Sequence, residues 1–186
     1  MTIQFARLAT AGILGLALLE GGPAFAQSTV DFTVSGNSTI RSWECTVRGT
    51  ARVTTGSSPA VQGFANGVQA ATLTVPVNGF QCPEEQMQEH LLEAMRATEF
   101  PEITFRLQSY EPSGQSVRAT GTLTILAATH PVSFPISLTP SGSGVQIQGE
   151  LPLDMTTYGV EPPVVMLGML RVRPQIRIQF SGTVGG

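Results

Sequence analysis

The chain has few side chains on which chemistry is usually built: two His, two Cys and a thin scatter of carboxylates among 186 residues. His90 lies in a helical pattern between Glu89 and Leu91, with Glu93 three positions on. An i, i+3 His/Glu pair supplies too few ligands for zinc, which takes three or four N, S or O donors, and such pairs are common on solvated helix faces. His130 stands next to Pro131 at the start of a strand pattern. There is no G-x-S-x-G, and the "SGSG" of residues 141–144 reads as a hairpin loop. Asp31, Glu102, Glu150 and Asp154 alternate with apolar residues, so they read as outward polar positions and not as an acid/base couple. Gly-rich phosphate loops are absent. The expectation is a protein with no catalytic residues, no metal and no cofactor.

The remaining candidate chemistry is sulfur. The chain opens with Arg7, then an apolar run over residues 8–19, then "GGPAFAQ" with small residues at Ala24 and Ala26. A run of about a dozen apolar residues matches a signal-peptide core and is too short to span a bilayer. These features predict a Sec-type leader over residues 1–26, cleavage before Gln27, and one domain over residues 27–186 that is periplasmic or secreted. In an oxidising compartment an even Cys count points to a bridge, here Cys45–Cys82. Net charge is −3, there is no Lys, and no basic run occurs, which argues against nucleic acid as a partner.

The elements that would position any site show period-two alternation. Val30, Phe32 and Val34 share one face in "STVDFTV"; Leu73, Val75 and Val77 do so further on. Ile103, Phe105 and Leu107 repeat the pattern, as do Val117, Ala119, Leu123 and Ile125. Val132, Phe134, Ile136 and Leu138 follow, then Val145, Ile147, Leu151, Leu153 and Met155, then Ile176, Ile178 and Phe180. One wet face and one apolar face suit an antiparallel sheet. Pro76, Pro135 and Pro152 fall inside these patterns and predict edges, bulges or strand ends. One segment differs. In "CPEEQMQEHLLEAMRAT", Pro83, Glu84 and Glu85 suit a helix start, and Met87, Leu91 and Met95 recur at helical spacing beside Leu92 and Ala94. Phe100-Pro101 is the expected stop. A single amphipathic helix therefore interrupts roughly eight strands and must lay its stripe on an end or opening of the sheet.

Alternation alone leaves open whether the apolar face fills a sandwich core, lines a barrel lumen or meets lipid. Aromatics are only 6% and a helix sits mid-chain, against the aromatic girdles of a membrane barrel. The greasy, Pro- and Gly-broken stretch "TTYGVEPPVVMLGMLRV" at residues 156–172 cannot be one regular element, and so rich an apolar loop needs an explanation.

Several segments together resemble the YceI-like family: "FTVSGNSTIRSWECTVRGTARV", "CPEEQMQEHLLEAMRATEFPEITFRL", "ATGTLTILAATHPVSFPISL" and "LPLDMTTYGVEPPVVMLGMLRVRPQIRIQF". The helix running into "PEITF" is the most specific. Ser42 before the Trp, and Ala127 or Ala128 at a usual hairpin Gly, depart from the family pattern. The resemblance implies an all-β fold, an antiparallel lipocalin-like extended barrel with one amphipathic helix inserted between strands. It also implies an isoprenoid-type lipid, a polyprenyl phosphate or a quinone-like molecule, held in the lumen.

On that reading the lumen is lined by Phe32, Trp43, Leu73, Val75, Phe105, Leu123, Ile125, Phe134, Ile136 and Leu153, with Met87, Leu91 and Met95 from the helix. Residues 158–170 fold over one end as a lid, with Met155, Tyr158, Met166 and Met169 as adaptable apolar contacts. Arg41, Arg171 and Arg173 are the candidates for a charged head group. No stable membrane insertion is expected, and a free sheet edge would let two copies pair as a homodimer. Two rivals stand beside this reading. A lipid-modifying hydrolase or isomerase predicts a polar pair in the lumen. A stress-related interaction protein with a filled core predicts no continuous cavity.

Overall fold

The computed structural model describes residues 26–56, 58–113, 116–142 and 144–185; the expected leader, except for Ala26, lies outside them. The strands are β1 (Ala26–Ser38), β2 (Ser42–Thr55), β3 (Val68–Pro76), β4 (Glu102–Ser113), β5 (Ser116–Ile125), β6 (Ala128–Ser141), β7 (Gly144–Asp154), β8 (Val164–Val165) and β9 (Leu170–Gly185), with one α-helix among the described residues, α1 (Glu85–Ala94), between β3 and β4. Each strand from β1 to β7 pairs antiparallel with the next, β7 pairs with β9, and β9 returns to β1 with Val34 opposite Ile178. Eight strands thus close into an antiparallel barrel. β8 is a two-residue extension on β9, continuing the edge that β7 leaves at Gln175.

Alternation decides what faces the axis. In β5, Val117, Ala119, Gly121, Leu123 and Ile125 are buried while the residues between them are not. The wall is incomplete where the sequence carries proline. β6 pairs with β7 only from Ile136 onward, so residues 128–135, with Pro131 and Pro135, bond β5 alone. Residues 150–154 of β7, with Pro152, bond β9 alone. A missing N–H is tolerated where no neighbour asks for it. Near this slit lies the buried ring of Tyr158, edge-on to His130 at 5.1 Å.

The two barrel ends are closed differently. At the far end, the segment before β3 folds across the opening with Phe64 buried. The Tyr110 hydroxyl donates to Pro59 O at 2.6 Å and accepts from Val68 N at 3.0 Å, fixing that segment. Across the waist, Phe32, Phe105, Phe134 and Phe180 form a belt with ring centroids 5.3–6.1 Å apart. Inward-facing glycines make room for it. A Cβ at Gly149 would lie 2.3 Å from Phe180 Cζ, and one at Gly121 2.6 Å from Phe105 Cε2.

The near end is covered by α1. The helix is shorter than the periodicity predicts: Met95 caps it, and Arg96 at φ 45° turns the chain before Phe100 is reached. The segment leading into it is tied to β2 by the Cys45–Cys82 disulfide, with Cα atoms 4.4 Å apart.

Candidate functional site

No residue of α1 is fully buried, although Met87, Leu91, Ala94 and Met95 form its inward stripe. A helix that packs on a filled core buries that stripe. This one faces a void. Beneath it lies a cavity of about 340 Å³, within the range of small-ligand pockets. Among the residues expected in the lumen, Trp43, Ile125, Met155 and the helix residues Met87, Leu91 and Met95 line this space. Val34, Phe80, Ile103, Val172, Ile176 and Ile178 complete much of the wall. Phe32, Leu73, Val75, Phe105, Leu123 and Phe134 instead surround a smaller space of about 70 Å³ at the phenylalanine belt. Ile136 lies beyond the belt, on a third space of about 100 Å³. The lumen thus holds three adjoining apolar spaces: Val34, Ile103 and Ile178 border both the first and the second, and Leu73, Phe105, Phe134 and Phe180 border both the second and the third.

The remaining expected residues fall elsewhere. Leu153 is half-buried and packs against the core cluster. Tyr158 is buried, and burial pushes its hydroxyl pKa up. Met169 is exposed and points away from the cavity. Arg171 and Arg173 are exposed, and the Arg171 Nε donates to Gly168 O at 3.2 Å. The Met166 side chain lies outside the description. The loop is two-faced: Val160, Pro163, Val165 and Leu170 line the cavity, while Val164, Leu167 and Met169 face outward.

The polar groups at the cavity are few and specific. Arg41 from β1–β2 pairs with Glu84 at the start of α1. The hydrogen bond and charge of Glu84 push the guanidinium pKa up, and the Arg41 hydrogen bond holds the Glu84 carboxyl below its ordinary range. The pair is self-neutralised and closes the rim between β2 and the helix. Deeper, Trp43 Nε1 and His90 Nε2 are both buried without a hydrogen-bond partner among the described residues. Buried polar atoms are normally satisfied, so these two nitrogens on one cavity wall are groups open to a further hydrogen-bond partner.

His90 is a residue that the sequence reading assigned to a solvated face. Its Nδ1 does stand 3.9 Å from Glu93 Oε2. The spacing Met87, His90, Leu91, Ala94, Met95 is i, i+3, i+4, i+7, i+8, which places His90 on the apolar stripe. That signal was present in the sequence and was outweighed by the neighbouring glutamates. The walls contributed by β9 were visible as alternation, but nothing in alternation tells a lumen wall from a filled core.

The family model described as the YceI-like domain matches residues 24–184. Among solved structures, BcnA of Burkholderia cenocepacia superposes with a TM-score of 0.68 at 19% identity, over 83% of this chain and 95% of that one. A polyisoprenoid binding domain from Saccharophagus degradans, implicated in plant cell wall breakdown, gives 0.67 at 12% identity, over 88% and 99%. The Campylobacter jejuni YceI protein gives 0.54 at 13% identity, over 73% and 80%. Among curated proteins, no sequence matches this chain. At such identities the structural likeness establishes the barrel. With the family match spanning nearly all the described residues, the chain belongs to the YceI-like family.

Proposed function

We propose that this protein binds and carries an isoprenoid-type amphiphilic lipid, with the tail in the chamber under α1 and an uncharged head at Trp43 and His90. The carrying observation is the apolar chamber of about 340 Å³ roofed by a helix that buries none of its residues fully. A filled-core interaction protein has no use for such a space. Burying about a dozen tail carbons contributes roughly 10 kcal/mol before association costs, so affinity needs no charged anchor. A tail longer than the first chamber must turn the rings of Phe32, Phe105, Phe134 and Phe180 to reach the next one.

The head group follows from the lining. Arg41 is the lining arginine, and Glu84 already neutralises it. A phosphate seated there would have to displace Glu84. An indole N–H and an imidazole nitrogen, both unpartnered, instead match a carbonyl or hydroxyl. Of the two lipid classes the family resemblance implies, this favours the quinone-like one. We propose in addition that the protein works after export as a cleaved, periplasmic or secreted form, which N-terminal sequencing of the mature chain tests.

The lone Trp sits at the site, so its fluorescence reads occupancy directly. Titration with a long-chain prenyl quinone and, separately, with a prenyl phosphate of equal length tests the proposal. Quinone binding should be tighter, and Trp43→Phe, followed by thermal shift, should weaken it about tenfold through loss of one buried hydrogen bond. Equal binding of both ligands, or preference for the phosphate, would overturn the head-group assignment, and binding of neither would overturn the lipid-carrying reading. Native mass spectrometry of protein from its own host then identifies the resident molecule.

A further inference from the structure

Four large apolar side chains stand in water among the described residues: Ile40, Val164, Leu167 and Met169, exposed by 59%, 53%, 105% and 65%. All four sit at the same end of the barrel, on the two segments that border the mouth of the chamber. Ile40 occupies the β1–β2 turn beside Arg41, and the others lie between Pro163 and Leu170, both of which line the chamber. A lid function accounts for the inner face of that second segment and leaves its outer face unexplained.

The outward tips are carried on a rigid frame. The Thr39 hydroxyl donates to Met169 O at 2.7 Å and accepts from Arg171 N at 3.1 Å. Thr39 N donates to Arg171 O at 3.0 Å, so the two segments form one rim. Ser38 Oγ accepts from Ile40 N and Arg41 N, which fixes the turn that presents Ile40. Leu167 sits at φ 55°, ψ 33°, a left-handed conformation in which its Cβ crowds the backbone and glycine fits freely. A leucine held there, entirely in solvent, contributes nothing to packing within this chain.

We propose that this rim docks on the surface of a lipid bilayer, inserting Ile40, Val164, Leu167 and Met169 into the interfacial layer so that cargo passes between bilayer and chamber without crossing water. Its purpose rests on the lipid-carrying reading; the docking itself does not. The tips project separately from two turns. A fluid interface accepts scattered convex tips, whereas a protein partner needs a matching concave surface. No helix among the described residues is long and apolar enough to cross a membrane, so attachment is peripheral. Arg171 and Arg173 lie exposed just behind the tips, where their stems can follow the apolar layer and their guanidinium groups reach phosphates. Across the mouth, α1 exposes Glu85, Glu89 and Glu93. The charge is mixed, and attachment therefore depends on the apolar tips more than on anionic lipid.

Flotation of the cargo-free protein with phosphatidylcholine vesicles at physiological ionic strength tests this. The double variant Ile40→Ser/Leu167→Gly removes two tips, and glycine suits the backbone at position 167, so the thermal midpoint should not fall. The expected result is a vesicle-bound fraction at least tenfold lower than wild type, with uptake of a prenyl quinone from ethanol unchanged. Wild-type protein that fails to float, or a variant that floats equally, overturns the proposal. So does a wild-type dimer in light scattering that the variant converts to monomer, because a second copy would then cover the rim. Uptake from ethanol is read on the same samples, so failure of the lipid reading registers separately from failure of docking.

Discussion

Val34→Trp distinguishes a chamber from a filled core. Val34 lies on β1 directly opposite Cys45 on β2 and Ile178 on β9, and it lines both the upper chamber and the smaller space at the phenylalanine belt. An indole at this position projects into the floor of the 340 Å³ void. Core voids destabilise by about 24 cal/mol per Å³, which sets an upper limit of roughly 8 kcal/mol for the whole chamber when dry. Filling part of it recovers part of that. The expected change in unfolding free energy is between zero and about 2 kcal/mol in favour of the variant. A close-packed core gives the opposite sign, since overpacking costs about 1–3 kcal/mol. The assay is urea unfolding of cargo-free protein, comparing midpoints at equal m-values. The same variant addresses binding. A ligand at 100 times its dissociation constant stabilises wild type by about 2.7 kcal/mol, a midpoint rise of roughly 5–11 °C for a domain of this size. That rise should disappear in Val34→Trp. A variant destabilised by 1–3 kcal/mol that still shows the full ligand shift would refute the chamber.

Three further outcomes follow from the packing and electrostatics. Gly149→Ala should lower stability by about 1–3 kcal/mol in thermal melts, because its Cβ would meet Phe180 Cζ at 2.3 Å and force the belt apart. Cys45→Ser with Cys82→Ser should cost about 4 kcal/mol on the chain-entropy account for a 37-residue separation and should speed ligand release by freeing the start of α1. Arg41 holds the Glu84 carboxyl below its ordinary value of about 4.3, so the latch is present at neutral pH and is lost as pH falls below that value. Ligand off-rate should rise on acidification in wild type, while Glu84→Gln should already be fast at pH 7 and lack that response.

The sequence by itself determined the local structure and the face each residue takes. Two-residue alternation set the inward positions of nearly every strand, because side chains on a strand must take opposite sides. Proline marked the interruptions: Pro135 and Pro152 lie where strands lack one neighbour, and Pro76 ends β3. The heptad-like stripe on residues 87–95 gave the helix its apolar side, and two cysteines gave the bridge. Tertiary structure decided what those faces enclose. Whether an inward Ile178 meets another side chain or empty space depends on closure of β9 onto β1 and on where α1 comes to rest, neither of which has a local signature. Trp43 is an apolar lumen contact in the sequence, and its polar role, like the candidacy of His90, depends on nitrogens that lack partners among the described residues, a property of the surroundings and not of the residues. Arg171 and Arg173 look like head-group ligands in sequence, yet β9 turns both outward, because alternation beside Leu170 and Val172 leaves them no other side.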